Sequence, residues 1–253
     1  MASSSSPYGD IQLNMRTFPS DKDSRRPHVL LAASGSVAAV KFEHLCYTFS
    51  EWTDVAAVVS KTALPFIGKP HFPDDVFVYT DDDEWFFWKK LGDPVLHIDL
   101  QKWADIMVIA PLSANTLAKI TGGFCDNLLT SIVRAWDYEK PIFVAPAMNP
   151  SMWSNSFTEK HKASLEEMGI NLILPMSSGS SSTGSMADIS HIYNTIRLCW
   201  DKKLYQCVVI VGAKGDQVIS MGTRGDARGI IVGVGVSLWT SCLEDLGVRS
   251  GLA

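Results

Sequence analysis

Asp105-Ile106-Met107-Val108-Ile109-Ala110-Pro111-Leu112-Ser113-Ala114-Asn115-Thr116 contains the decisive pattern of this chain. An almost unbroken apolar run passes into small, hydroxyl- and amide-bearing residues. Apolar residues without alternation suit a strand covered on both faces, as in a parallel sheet. The residues after it suit a helix start.

The same pattern repeats outward in both directions. His28–Ser34, Asp54–Ser60, Pro141–Pro146 and Asn171–Pro175 are near-continuous apolar segments and are read as further strands. Helices are expected between them at Ser36–Phe49, Asn115–Ile120, Asp126–Trp136, Phe157–Met168 and Ile189–Asp201. For Phe157–Met168, Ser156 and Glu159 have capping-box spacing, and Gly169 stands where a left-handed terminator belongs. Strand–helix alternation without an internal repeat predicts a doubly wound α/β fold.

Composition narrows the function classes. The chain has 253 residues, 46% of them hydrophobic, and a formal net charge of −5. Its core-forming capacity excludes disorder of the whole chain. The acidic balance argues against a nucleic-acid partner, whose phosphates need a basic surface. The longest apolar stretches, such as Gly229–Trp239, fall short of the roughly 20 residues that span a bilayer. The five cysteines (Cys46, Cys125, Cys199, Cys207 and Cys242) are widely spaced and form no CxxC pair, which points to a reducing, cytoplasmic setting. No metal site is expected. Residues 1–27 are read as a disordered tail, 28–203 as the folded domain, and 204–253 as an extension to which no function is assigned.

A doubly wound sheet binds its ligand outside the carboxyl ends of its strands, at the switch point. The segments leaving those ends are Ala33-Ser34-Gly35-Ser36-Val37, Ser60-Lys61-Thr62, Ala110 to Thr116, and Ala145-Pro146-Ala147-Met148-Asn149. Hydroxyls and N–H groups at helix starts suit an anionic phosphate. Each segment taken alone is equally an ordinary capped turn; four at one edge favour a phosphorylated ligand. The dinucleotide GxGxxG and the Walker A pattern are both absent. His97, in the apolar run Val95–Leu100, is read as lying on a strand. Taken alone it is either a satisfied core residue or a functional group. Asn149, between Met148 and Met152-Trp153, is either part of a rigid substrate loop or of a proline-rich connection.

These residues carry a resemblance. LLAASGSVAAVKF (30–42), YTDDDEWFFW (79–88), DPVLHIDLQKWADIMVIAPLSANTLAKI (93–120), GGFCDNLLTSIVRAWD (122–137) and PAMNPSMW (146–153) closely resemble the flavin-containing cysteine decarboxylases, in their plant halotolerance-protein branch. The resemblance implies a flavodoxin-like three-layer α/β/α fold, FMN as cofactor, and a homotrimer with no membrane or nucleic-acid partner. It implies FMN contacts from Gly35, Ser36, Val37, Ser60, Lys61, Thr62, Ser113, Ala114, Asn115, Thr116 and Ala147. Asn149 would hold the substrate carboxylate and His97 would be the catalytic base. The implied reaction converts 4′-phosphopantothenoylcysteine to 4′-phosphopantetheine, a coenzyme A precursor. Oxidation of the cysteine to a thioaldehyde gives the electron pair released with carbon dioxide somewhere to go. The resulting enethiolate is reduced last.

One departure stands out. The family carries a basic flap with a Cys-Gly-Asp stretch, whose cysteine is the final proton donor. Here only its end survives, as Gly184-Ser185-Met186-Ala187-Asp188, after Met176-Ser177-Ser178-Gly179-Ser180-Ser181-Ser182-Thr183. That run has no cysteine and no basic residue and is read as a flexible linker. Serine is a far weaker acid than a thiol, so two readings stand side by side: turnover stalls at the enethiol, or the flap was lost from this sequence through a gene-model or splicing error and its relatives are ordinary enzymes. Cys125 is expected to pack. The alternative is a non-catalytic flavoprotein binding module, such as a phosphatase-regulatory subunit. The fungal proteins of that kind carry long acidic tails, whereas the acidic run here, Asp81-Asp82-Asp83-Glu84, is internal and is read as a solvated loop.

Overall fold

A computed structural model of the chain describes residues 26–67, 72–174 and 184–204. In chain order these form β1 (His28–Ala33), a 3-10 turn (Val37–Lys41), α1 (Phe42–Ser50), β2 (Asp54–Val59), α2 (Leu64–Ile67), β3 (Phe77–Thr80), α3 (Asp81–Phe87) and α4 (Leu96–Trp103). They continue with β4 (Ile106–Leu112), α5 (Ala114–Thr121), α6 (Leu128–Ala135), β5 (Ile142–Pro146), α7 (Pro150–Trp153), α8 (Ser156–Glu167), β6 (Asn171–Leu172) and α9 (Ile189–Leu204). Most of the stretch read as a tail, the run 176–183 and the extension beyond Leu204 lie outside the described residues. Residues up to Thr195 make one compact unit. Ile196–Leu204, the last turns of α9, begin a second.

Six strands pair in parallel in the order β3-β2-β1-β4-β5-β6. Setting aside the outer β3, this is the flavodoxin-type order, and the chain reverses direction across the sheet between β1 and β4. All six residues of β1 and all seven of β4 are buried. Alternate strand residues face opposite ways, so helices must cover both faces. On one face Leu30, Ala32, Met107 and Ile109 join Leu100, Leu117, Leu128, Leu129 and Ile132 in one core. Truncating Leu30 to alanine there is expected to cost about 2–5 kcal/mol.

Five of the six predicted strands are present, although β6 keeps only Asn171–Leu172 of the expected Asn171–Pro175. Other details differ for physical reasons. Ser36–Phe49 is a 3-10 turn followed by α1, with Ser36 Oγ accepting the Ala38 N–H at 3.4 Å. Helix α8 starts one residue early: the N-cap is Asn155, whose Oδ1 accepts from the Phe157 N–H at 2.9 Å, in place of the expected Ser156 box. Its end is as expected: Gly169 has φ +76° and the Ile170 N–H reaches back to the Leu165 carbonyl. The short edge strand β3 is absent from the sequence reading, because four half-buried residues make too weak a pattern.

Two corrections bear on function. His97 stands on a helix, α4, and not on a strand. Val95–Leu100 is too short for its periodicity to decide, and the continuation to Trp103 places Leu96 and Leu100 on one helical face. The acidic run 81–84 is likewise no loop; it is the first turn of α3, where carboxylates favour the helix dipole. Cys125 is exposed, contrary to its expected packing.

Candidate functional site at the carboxyl edge of the sheet

Where β1 and β4 part, Ser34 ties the two loops together. Its N–H and Oγ–H both donate to the Pro111 carbonyl, at 3.1 and 2.9 Å, and its Oγ accepts the Ser113 N–H at 2.7 Å. Ser34 is fully buried and acts as a clasp. Gly35 follows because nothing larger fits: a Cβ there would lie 2.6 Å from Thr62 Oγ1. Ser36 and Val37 open the 3-10 turn, with Val37 exposed.

The second wall is the start of α5. Ser113 Oγ accepts the Thr116 N–H at 3.2 Å and donates to Thr116 Oγ1 at 3.1 Å. These two buried hydroxyls are therefore spent on shaping the helix start. What the turn offers a ligand is the pair of N–H groups of Ala114 and Asn115, which have no intrahelical acceptor. Across from it, the Ser60 N–H donates to the Ala33 carbonyl, and Ser60 Oγ lies 3.2 Å from Thr62 Oγ1. Lys61 is exposed, and its N–H donates to Asp81 Oδ2 at 3.1 Å. Thus Gly35, Ser36, Ser60, Lys61, Thr62, Ser113, Ala114, Asn115 and Thr116 all stand on the segments leaving the carboxyl ends of β1, β2 and β4, where a doubly wound sheet has its switch-point crevice. A narrow glycine cradle beside two helix starts fits a planar group carrying a phosphate.

Ala147 and Asn149 lie on the loop leaving β5. The buried Ala147 donates its N–H to the Leu112 carbonyl at 2.9 Å, which draws this loop against β4. Asn149 caps α7, with Oδ1 accepting the Ser151 N–H at 2.9 Å. That bond makes Nδ2 the donor side of the exposed amide. The Met148 N–H donates to the Gly184 carbonyl at 2.8 Å, and a Cβ on Gly184 would lie 2.4 Å from the Met148 oxygen. The surviving end of the flap motif is therefore docked on the substrate-loop candidate, with Met186 and Ala187 buried. Trp153 is buried and Met152 exposed.

His97 occupies the first turn of α4. The other end of that helix is fixed at the amino edge of the sheet, where the Trp103 carbonyl meets His28 Nδ1 at 3.0 Å. Helix α4 consequently runs against the strands and presents His97 at the carboxyl edge. His97 Nδ1 pairs with Glu84 Oε1 on α3. Two acidic residues were thus missed by the sequence reading: Glu84, and Asp81, whose Oδ1 accepts the Leu128 N–H at 3.1 Å while Oδ2 holds the Lys61 loop. A signal was present. Thr80-x-x-Asp83 has capping spacing, and Asp83 Oδ2 accepts the Thr80 N–H at 2.6 Å, which puts Asp81 and Glu84 on one face a turn apart.

Other titratable groups have structural explanations. Burial, with a lesser push from Glu43, raises the Cys46 thiol far above its ordinary range, so this cysteine is inert. Burial, then Asp83, raises the Tyr79 phenol. No helix among the described residues is long and apolar enough to cross a membrane.

The fold and crevice define an α/β protein built to bind a phosphorylated cofactor at a flavodoxin-type switch point. The chain belongs to the Flavoprotein family, which matches residues 17–199. It is 61% identical over 200 residues to phosphopantothenoylcysteine decarboxylase HAL3a of Glycine max, covering 78% of this chain and 95% of that one. Among solved structures it resembles the FMN-binding protein AtHal3, with a TM-score of 0.68 and 60% identity over 70% of this chain and 98% of that chain. It also resembles a cysteine-to-serine variant of PPC decarboxylase complexed with pantothenoylaminoethenethiol, with a TM-score of 0.67 and 61% identity over 70% of this chain and all of that one.

Proposed function

We propose that this protein is an FMN-dependent phosphopantothenoylcysteine decarboxylase. The observation that carries this reading is the convergence of the Ser34–Gly35–Thr62 cradle, the α5 start, Asn149 and His97 on one edge of the sheet, in a chain 61% identical to a named decarboxylase. Bound FMN would supply the reversible two-electron chemistry that a saturated cysteinyl carboxylate needs before it can lose carbon dioxide.

The chain's own residues do the rest. Ser36 and the N–H groups of Ala114 and Asn115 hold the cofactor's phosphate region. Gly35, Thr62 and Ala147 keep its path narrow, and Val37, Ser60, Lys61, Ser113 and Thr116 complete the cradle. Asn149 Nδ2 donates to the substrate carboxylate and orients it. His97 accepts a proton from the substrate as general base, the role most often taken by an imidazole. We place the whole machinery in residues 28–203 and the chain in the cytoplasm as a homotrimer. Supporting the trimer are exposed Val37 and Val40 beside the cradle and exposed Trp85 and Phe86 on α3. Light scattering of the FMN-loaded protein tests it.

We further propose that turnover ends at the enethiol. The sequence between Ile173 and Ile189 holds no cysteine. Among the relatives, a cysteine-to-serine variant of PPC decarboxylase is complexed with pantothenoylaminoethenethiol. The test is mass spectrometry of 4′-phosphopantothenoylcysteine incubated anaerobically with FMN-loaded protein. Loss of carbon dioxide together with two hydrogens is expected. Loss of carbon dioxide alone overturns the stall, and unchanged substrate overturns the decarboxylase reading.

A further inference from the structure

Three acidic side chains of α3 have distinct assignments. Asp83 caps the helix, Asp81 holds the Lys61 loop and the α6 start, and Asp82 is exposed. Neither capping nor tethering remains for Glu84 to do. Yet its side chain is only 14% exposed and meets the His97 ring, itself 26% exposed. Covering a carboxylate is costly unless it is paired, so a Glu with no task would turn outward as Asp82 does.

We propose that Glu84 is the positioning residue for His97. An ionised carboxylate can only accept, so the His97 nitrogen facing it, Nδ1, must carry the proton. Nε2, on the far edge of the ring, is then the basic nitrogen. Which imidazole nitrogen is basic is set by the bond the other makes. The surroundings make this bond a fixed one. Helix α3 cannot rotate, because Asp81, one turn before Glu84, is held by the Lys61 and Leu128 N–H groups. Helix α4 cannot slide, because Lys140 Nζ bonds the Gln101, Lys102 and Ala104 carbonyls at its far end, at 2.9, 3.3 and 2.9 Å. Glu84 thus transmits the placement of the cofactor loop to the base.

This inference rests on the decarboxylase reading, and the test separates the two. In full-length, FMN-loaded protein, Glu84→Ala should lower the single-turnover rate constant for carbon dioxide release at least about tenfold, within the roughly 10²–10⁴-fold that a positioned base contributes. The substrate concentration that half-saturates this rate and the flavin content should not change. Glu84→Gln, which keeps a carbonyl acceptor at the same reach, should recover most of the loss. A wild-type single-turnover rate in Glu84→Ala overturns the inference, as does a parallel fall in flavin content, or a Gln variant no better than Ala. If the wild-type protein releases no carbon dioxide, the decarboxylase reading alone has failed. The ¹⁵N resonances of the His97 ring, identified by their loss in His97→Asn, then decide: they shift in Glu84→Ala if Glu84 sets the tautomer, and unmoved resonances overturn the inference.

Discussion

At the amino edge of the sheet, polar side chains are spent on one another. His28, 3% exposed, receives its neighbours on every side: its N–H donates to Asp105 Oδ2 at 3.0 Å, and its ring stacks on Trp103 at 4.6 Å. Lys140 closes three carbonyls of α4 nearby. At the carboxyl edge the residues are small, and the clasp of Ser34, Ser113 and Pro111 joins loops to each other while two helix starts face the crevice. The two ends of the same strands therefore carry different burdens. One end satisfies its polar groups internally and contributes stability; the other leaves donors of a helix start without intrahelical acceptors, and under the proposed function substitutions there should appear first in binding and turnover.

That contrast can be broken, most severely at His97. His97→Asn should leave the yellow flavin spectrum intact and reduce carbon dioxide release by at least roughly 10²-fold. Persistent release would remove the base from this edge. Next is Gly35→Ala, whose Cβ would meet Thr62 Oγ1 at 2.6 Å. Overpacking costs about 1–3 kcal/mol; if that cost falls on the cofactor-bound form, FMN affinity in a fluorescence titration should fall roughly 5- to 150-fold. At the opposite edge, Lys140→Ala should cost about 1.5–3 kcal/mol in urea unfolding, the range for bonds from a charged donor, with FMN affinity unchanged. A variant that lost flavin as well would show that the edges are not separable.

The smallest effect lies away from both edges. Lys119 Nζ bonds Asp126 Oδ2 at 2.6 Å and holds that carboxyl below its ordinary range. A depressed carboxylate pKa means the native state binds its proton less readily than the unfolded chain. The contribution is therefore present at neutral pH and lost as pH falls through the lowered value. The pair is half exposed, so Asp126→Asn should cost only about 0.2–1 kcal/mol at pH 7. The difference should close in acid, below the ordinary carboxylate range of roughly 4.

The legibility of this molecule follows its burial. β1, β2, β4 and β5, buried on both faces, wrote continuous apolar runs that read correctly to within a residue or two. β3, half-buried at the sheet's border, wrote nothing distinctive. The position of the loops at the carboxyl edge was legible because small residues recurred after the apolar runs of β1, β2, β4 and β5. The Glu84–His97 pair was not, since thirteen positions separate the partners and each sits in a segment whose local pattern misled. Six residues around His97 were compatible with either period, and four consecutive acids look like solvent until their neighbours are known.

The docking of Gly184 on Met148 has a practical side. Leu174 follows β6 and Gly184 is seated beside the Asn149 loop, so the nine residues between them are bounded by two secured posts. Such an arrangement works as a replaceable cassette. Lengthening a loop between fixed ends costs only about 0.6 kcal/mol per doubling. Inserts of different length can therefore be exchanged between Leu174 and Gly184 at small cost, without redesigning the scaffold.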